Sequence, residues 1–358
     1  MDGTLIVSTP TRGERPAATR DALPSIGLWY DLRNPAPRSQ TFTETYAATL
    51  EQIRWAERLG VGSAWFTEHH FTADGYCPSP LVVAAAAAAA TSTMRLGTNL
   101  VLLPLHDPVR IAEDATAVSL LSGGRFDLGV GLGYRQLEYD AFGRSIRHRP
   151  SLMEEAVSII RSAWSGEEVD LEGKRFRLHG VAVTPSPDVA PRLLMGGLAE
   201  PAIRRAARLA DGFLSTQDAT IDTFERACGE LGRRDDPPVF SAQWAVVADD
   251  PDREWARVGD HALYQMNTYI EWGAFGPPEL IPRFEDRDQL RASGFYHAWD
   301  PDEAARHITE LCRRHPRVAD VHFWAQLPGE HVDSGSARIE VLATKVLPRV
   351  RAIIGAAA

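Results

Sequence analysis

At the end of one apolar run stands Trp65-Phe66-Thr67-Glu68-His69-His70-Phe71, which places a carboxylate and two imidazoles at three consecutive positions. Histidine titrates nearest neutrality, so such a cluster suits proton transfer. Successive side chains of a strand point to opposite faces, so at most one of the two histidines enters a barrel lumen. A pair of structural histidines satisfied by neighbours is the alternative these residues leave open. A metal centre is not expected, because the chain has no HExxH and spacing sets no third ligand beside the pair.

Two glycine clusters also sit at the ends of apolar runs. In Gly129-Val130-Gly131-Leu132-Gly133-Tyr134 the alternating glycines let a planar ligand, or a neighbouring backbone, come close. A dinucleotide fingerprint fails there, since Gln136 occupies the place of its last glycine. Met195-Gly196-Gly197-Leu198-Ala199-Glu200-Pro201 precedes a proline-initiated helix, whose free amides would suit a phosphate. A strand-to-helix turn that needs glycine for its geometry is the alternative. Trp29, Tyr30, Trp65, Tyr134, Trp244 and Trp324 fall at the same ends and predict an apolar pocket for a flat cofactor and a hydrophobic substrate.

The elements that would position these residues alternate along the chain. Apolar runs predict strands at Ile26–Leu32, Ser63–Phe71, Arg95–Pro104, Phe126–Gly133, Arg192–Leu198, Gly212–Gln217, Phe240–Ala248 and Val321–Leu327, with amphipathic stretches between them. Helix boundaries are marked by Gly60, by Pro108 with Ser122-Gly123-Gly124, and by Pro201 with Asp211-Gly212. The alanines from Ala84 to Ala90 fit a helix packed close to a sheet. Eight βα units favour an α/β fold of the (β/α)8 TIM-barrel type over an open sheet, with the active site at the C-terminal ends of the strands. Residues 25–358 form one such domain after a flexible extension at 1–24, with insertions at about 170–191 and 273–299.

Charge narrows the partners. The 358 residues carry 48 acids and 38 bases, a formal net charge of −10, and no Lys/Arg block, which argues against nucleic acid and anionic membranes. Cys77, Cys228 and Cys312 lie far apart and form neither a disulfide framework nor a zinc ribbon, which suits a reducing cytoplasm. The longest apolar run, Leu81 to Ala90, is too short to span a bilayer.

From Ile26 to about Ile354 the chain resembles the bacterial-luciferase-like flavin monooxygenases. The resemblance rests on Glu68-His69-His70-Phe71, on Leu103-Pro104 through Pro108-Val109-Arg110 to Ala112-Glu113-Asp114, and on Ser122-Gly123-Gly124-Arg125-Phe126. It implies a barrel that binds FMN at its mouth, reduced by a separate flavin reductase. O2 would then give a flavin C4a-peroxide, which inserts oxygen into an aldehyde, ketone or secondary metabolite. His69 matches the catalytic histidine, leaving His70 a structural role. The implied flavin contacts are Glu68, Thr98, Asn99 and Leu100, then Gly131, Leu132, Gly133 and Tyr134, and finally Met195, Gly196, Gly197, Leu198 and Ala202 around the phosphate loop. Asn99-Leu100 matches a non-proline cis peptide, and residues 273–299 match a mobile lid. Trp29, Trp65, His106, Trp244 and Trp324 would shape the substrate pocket.

The chain also departs from that pattern. Leu132 and Gly131 stand where luciferase carries a phosphate-contacting arginine and a reactive cysteine, so backbone amides or Arg192 would have to hold the phosphate. Two alternatives remain: a hydride-transferring oxidoreductase that uses deazaflavin F420, and a non-catalytic flavin-binding subunit. Homodimerisation is implied by resemblance alone.

Overall fold

Eight parallel strands close on themselves in the computed structural model, which describes residues 23–38 and 40–355. The expected N-terminal extension therefore lies almost entirely outside the described residues. In chain order the strands are β1 (Ser25–Tyr30), β2 (Ser63–Phe66), β3 (Arg95–Thr98), β4 (Phe126–Val130), β5 (Val169–Glu172), β6 (Arg177–Val181), β7 (Arg192–Gly196), β8 (Gly212–Ser215), β9 (Val239–Gln243), β10 (Ala245–Val247), β11 (His297–Trp299) and β12 (Val318–Trp324). The barrel runs β1-β12-β9-β8-β7-β4-β3-β2, and β2 pairs again with β1. Strands β2, β4, β8 and β9 are buried at every position, as a parallel sheet covered on both faces requires. The predicted (β/α)8 barrel is the observed fold.

Helix ends follow the sequence signals. Thr41 and Glu44 form a capping box for the helix Phe42–Arg58. Asp107 accepts the amides of Val109 and Arg110 to start the helix Pro108–Ser122, and Gly123 ends it in the left-handed region at φ 62. The alanine run lies in the helix Pro80–Ala90, where Ala84, Ala87 and Ala88 are buried.

Strand ends differ from expectation in one consistent way. The regular ladders end at Phe66, Thr98 and Val130, before the predicted runs do, with a single further bridge between Val101 and Val130. The remaining residues of those runs are mostly irregular, apart from a 3-10 turn at Leu103–Leu105, and most stay buried, including the polar Thr67, Glu68, His69 and His70. The run Phe240–Ala248 is two strands, since β10 leaves the barrel after Trp244 and pairs in parallel with β11. Strand β12 begins at Val318, earlier than predicted, because the polar Asp320 is buried and accepts hydrogen bonds from Ser25, Ser63 and Trp65.

Both insertions carry structure. Strands β5 and β6 form an antiparallel hairpin over 169–181, starting one residue before the expected insertion, and residues 273–299 hold a 3-10 turn at Pro278–Leu280, a short helix at Arg287–Ala292 and β11. Among the described residues no helix is long and apolar enough to cross a membrane.

Arg192 corrects an expectation. It stands at the first position of β7, at the end of the barrel away from the mouth, and binds Asp127 through Nε at 2.9 Å and Nη2 at 2.8 Å. It cannot serve a phosphate at the mouth.

Candidate active site

Beyond β2 the extended backbone separates the two histidines. Glu68 and His70 face one way, and His69 faces the other. His69 Nδ1 lies 2.9 Å from Glu138 Oε1, and its Nε2 lies 2.8 Å from the Tyr134 hydroxyl. Glu138, from the short helix Gln136–Ala141, also accepts the His70 amide at 2.9 Å and Arg135 Nη1 at 2.8 Å on that same oxygen. Its Oε2 has no hydrogen-bond partner among the described residues. The Arg135 guanidinium lies 4.3 Å from the centre of the Trp272 ring.

Protonation follows from these contacts. Burial holds the His69 imidazole below its usual pKa, only partly offset by the hydrogen bond and charge of Glu138. Burial would raise Glu138, but hydrogen bonds from His69 and the His70 amide, with Arg135 nearby, bring its carboxyl below the ordinary range. Glu138 is thus an acceptor, so His69 Nδ1–H donates to it and Nε2 accepts the Tyr134 O–H. Desolvation keeps Tyr134 well above the usual phenol range, hence protonated. The result is a directional chain from Tyr134 through His69 to Glu138.

On the opposite face, Glu68 Oε2 accepts the Leu102 amide at 2.6 Å, while Oε1 meets His70 Nε2 at 2.9 Å and His106 Nε2 at 2.7 Å. Burial would raise Glu68, yet His106 and His70 lower its carboxyl to about 2. His106 is therefore bound to Glu68 and does not line the expected substrate pocket.

A cavity of about 590 Å³ opens at the mouth, within the ~300–1,000 Å³ typical of ligand sites. Asn99, Leu100, Gly131, Leu132, Gly133 and Tyr134 line it, with Gly196, Gly197, Leu198 and Ala202, as the sequence led one to expect; Glu68 and His69 reach it too. Trp29 and Trp244 join Tyr76 and Tyr269 on its wall, and Gly273, Ala274, Phe275 and Gly276 of the second insertion complete it.

Five expected residues lie behind the surface. Thr98 is fully buried and clasps Gly129, donating to its carbonyl at 2.7 Å and accepting its amide at 2.9 Å. Met195 is buried in β7. Trp65 is in the barrel interior, its Nε1 on Ser63 at 2.9 Å and its ring stacked on His322. Trp324 stacks under Trp29 at 3.9 Å, and Tyr30 is wholly buried against Phe66. Adjacent aromatic positions at a strand end face both ways, which a linear pattern does not resolve.

The floor of the cavity is built around Leu100. The Asn99-Leu100 peptide is cis, as the resemblance implied. Trp29 Nε1 donates to the Asn99 carbonyl at 3.1 Å, and Asn99 Nδ2 lies 3.0 Å from His322 Nε2, whose other nitrogen meets Asp320 at 2.8 Å. A Cβ at Gly131 would come within 2.3 Å of Leu100 Cδ1, and one at Gly196 within 2.7 Å of Leu100 Cδ2. These glycines therefore admit Leu100 and keep a smooth apolar cradle, which suits a planar ring.

One end of the cavity is suited to a phosphate. Ala199, at the start of the helix Glu200–Leu209, offers no side-chain cap, and although Ala202 and Ile203 donate to the Ala199 carbonyl, the amides from Gly197 to Glu200 are left for an anion. Arg149 begins the helix Arg149–Ser165, whose N-cap likewise lacks a side-chain bond; it lines the same cavity and has no ion pair among the described residues. Apolar cradle, free amides and one available guanidinium together fit a flavin-type cofactor.

Sequence reasoning missed Arg149, Glu138, Arg135, Tyr76, Tyr269 and Trp272. Glu138 follows Tyr134 by four residues, at the start of a short helix, a usable signal. Arg149-Pro150 at a helix start is another. Tyr76 and Tyr269 come from distant segments, and no local pattern announces them.

Comparison with known proteins places the chain in a family. Residues 26–318 match the family described as luciferase-like monooxygenase. The alkanal monooxygenase alpha chain of Photorhabdus luminescens is 30% identical over 152 residues, 42% of this chain and 41% of that protein. The F420-dependent glucose-6-phosphate dehydrogenase of Kineococcus radiotolerans is 31% identical over 176 residues, 47% of this chain and 52% of that protein. These alignments thus span about half, or less, of the relatives' length. Among solved structures, the oxygenating constituent of 3,6-diketocamphane monooxygenase of Pseudomonas putida, in complex with FMN, superposes with TM-score 0.74 at 18% identity, covering 92% of this chain and 99% of that one.

Proposed function

The chain belongs to the luciferase-like monooxygenase family, and from that premise we propose that it is a two-component monooxygenase, using reduced FMN to add oxygen to a hydrophobic aldehyde, ketone or secondary metabolite. The observation that carries this reading is the buried Tyr134–His69–Glu138 chain ending at an apolar cavity with a phosphate-compatible end. Bound reduced FMN would supply the electrons that activate O2.

The protein's own residues do the rest. Arg149 and the amides following Gly196 hold the phosphate, while Leu100, Gly131 and Gly196 support the ring. Trp29, Trp244, Tyr269 and Phe275 exclude water and favour an apolar substrate. The Tyr134 O–H donates to His69 Nε2, so the phenol oxygen presents a lone pair to the cavity, where it accepts a proton as its own passes to His69 Nε2, or returns one by the reverse path. Glu138 fixes the tautomer and stabilises the imidazolium that forms transiently. A flavin reductase would be the working partner, and the unpaired cysteines suit a reducing cytoplasm. Homodimerisation belongs to the same reading.

A second reading, F420-dependent hydride transfer, is supported by the F420-dependent relative from Kineococcus radiotolerans. The complete His69 network argues against a non-catalytic subunit. Supplying the protein with a flavin reductase, NADH, FMN and a panel of aldehydes and ketones, and measuring O2 consumed per oxygenated product, tests the proposal. Substrate oxygenation that needs all components supports it. Turnover with reduced F420 and no O2 overturns it.

A further inference from the structure

We propose that Glu68, His70 and His106 form a binding site for a divalent transition-metal ion of the zinc class, on the face of the loop opposite His69. Their donor atoms come from two segments, the end of β2 and the loop after β3, and all lie within 4.8 Å of one another. His70 Nε2 and His106 Nε2 converge on the single oxygen Glu68 Oε1, at 2.9 and 2.7 Å. The other oxygen is anchored by the Leu102 amide at 2.6 Å, which leaves Oε1 fixed and aimed at both imidazoles.

Two imidazoles and a carboxylate make a three-donor set with one side open, the arrangement in which zinc-class ions keep a water as fourth ligand. Ion–ligand bonds of about 2.0–2.2 Å need the donors to part only slightly from their present spacing. Each imidazole would carry its proton on Nδ1 and give its Nε2 lone pair to the ion, so two N–H···O bonds are exchanged for two nitrogen bonds and one oxygen bond to the ion. Glu68 and His70 are buried, and Phe142 packs edge-on against His70 at 4.8 Å, which lowers the local dielectric and strengthens ion–ligand attraction. The His106 side chain is 26% exposed and provides the path of entry. The ion would sit outside the oxygenation chemistry, tying the loop that carries Leu102 to the end of β2.

The test is titration of chelator-treated full-length protein with Zn2+ alone, followed by calorimetry and thermal melting. One saturable site and a raised melting midpoint are expected. His106→Ala should weaken binding at least ~10-fold, the lower end of losses seen even when groups outside the ligand set are removed. His69→Ala should leave binding intact. Because Glu68→Gln or His70→Ala could disturb folding, the partly exposed His106 is the decisive position. Absence of saturable binding, or binding that His106→Ala leaves unchanged, shows the three residues to be a hydrogen-bonded clasp only and overturns the proposal.

Discussion

Asp127, at the N-terminal end of the barrel, and Glu138, at its mouth, are both buried carboxylates, yet their oxygens are used differently. Arg95 and Arg192 each bind Asp127 through two nitrogens, so each Asp127 oxygen accepts two hydrogen bonds at 2.7 to 3.0 Å. Glu138 receives its hydrogen bonds on Oε1 and leaves Oε2 without a partner among the described residues. A saturated acid holds three strands together and has nothing left to offer. An acid with open capacity, reached through a histidine and a phenol, can respond when a proton moves. This is the division expected in such barrels, stability at the bottom and chemistry at the top.

His69→Ala probes the contrast most strongly. Loss of a positioned acid/base should lower kcat/KM by about 10²- to 10⁴-fold with little change in melting temperature, as oxygen-consumption kinetics would show. An active His69→Ala enzyme would remove His69 from the mechanism. At the other end of the barrel, Asp127→Asn should cost about 3–5 kcal/mol of stability, because two arginines lose their counter-charge. Denaturant unfolding reads that loss, and catalysis per folded molecule should stay near wild type. Unchanged stability would mean that the Asp127 pair is no clamp.

The arginines sharpen the comparison further. Arg149→Ala should weaken FMN binding by about 10- to 100-fold, the worth of a charge-assisted bond of roughly 1.5–3 kcal/mol. Arg192→Ala should lower stability without changing FMN affinity, and fluorescence titration separates the two. The smallest effect concerns pH. Glu138 raises the His69 pKa against the lowering by burial, so Glu138→Gln should drop it further. The acid limb of the kcat/KM profile, already below the ordinary histidine range, would then move to lower pH, since His69 stays neutral further down. Movement to higher pH would contradict the assigned pairing.

These pairs also show what a linear pattern can convey. All eight barrel strands, the helix starts at Pro108 and Pro201, and the stop at Gly123 were readable, because apolar runs, prolines and glycines act locally. Leu100, Gly131, Gly196 and His69 line the cavity as expected, the glycines from their spacing at strand ends and Leu100 and His69 from the family resemblance. Strand ends were not: Phe66 and Thr98 close their ladders while burial continues into the mouth, through polar residues as well as apolar ones, so burial outlasts regular pairing. Which of Trp29, Trp65 and Trp324 faces the cavity depends on strand tilt and register. The pairing of His69 with Glu138, and of Glu68 with His106, joins segments dozens of residues apart. Arg192 was expected near the phosphate and Arg149 was missed, because sequence gives charge without showing which end of the barrel receives it.

The central claim, that this mouth is built for FMN, is tested most directly by equilibrium titration of the purified protein with reduced FMN and, separately, with F420. Saturable binding of reduced FMN that Arg149→Ala weakens, with F420 bound more weakly, is the expected result. Tight F420 binding with no FMN binding would contradict it.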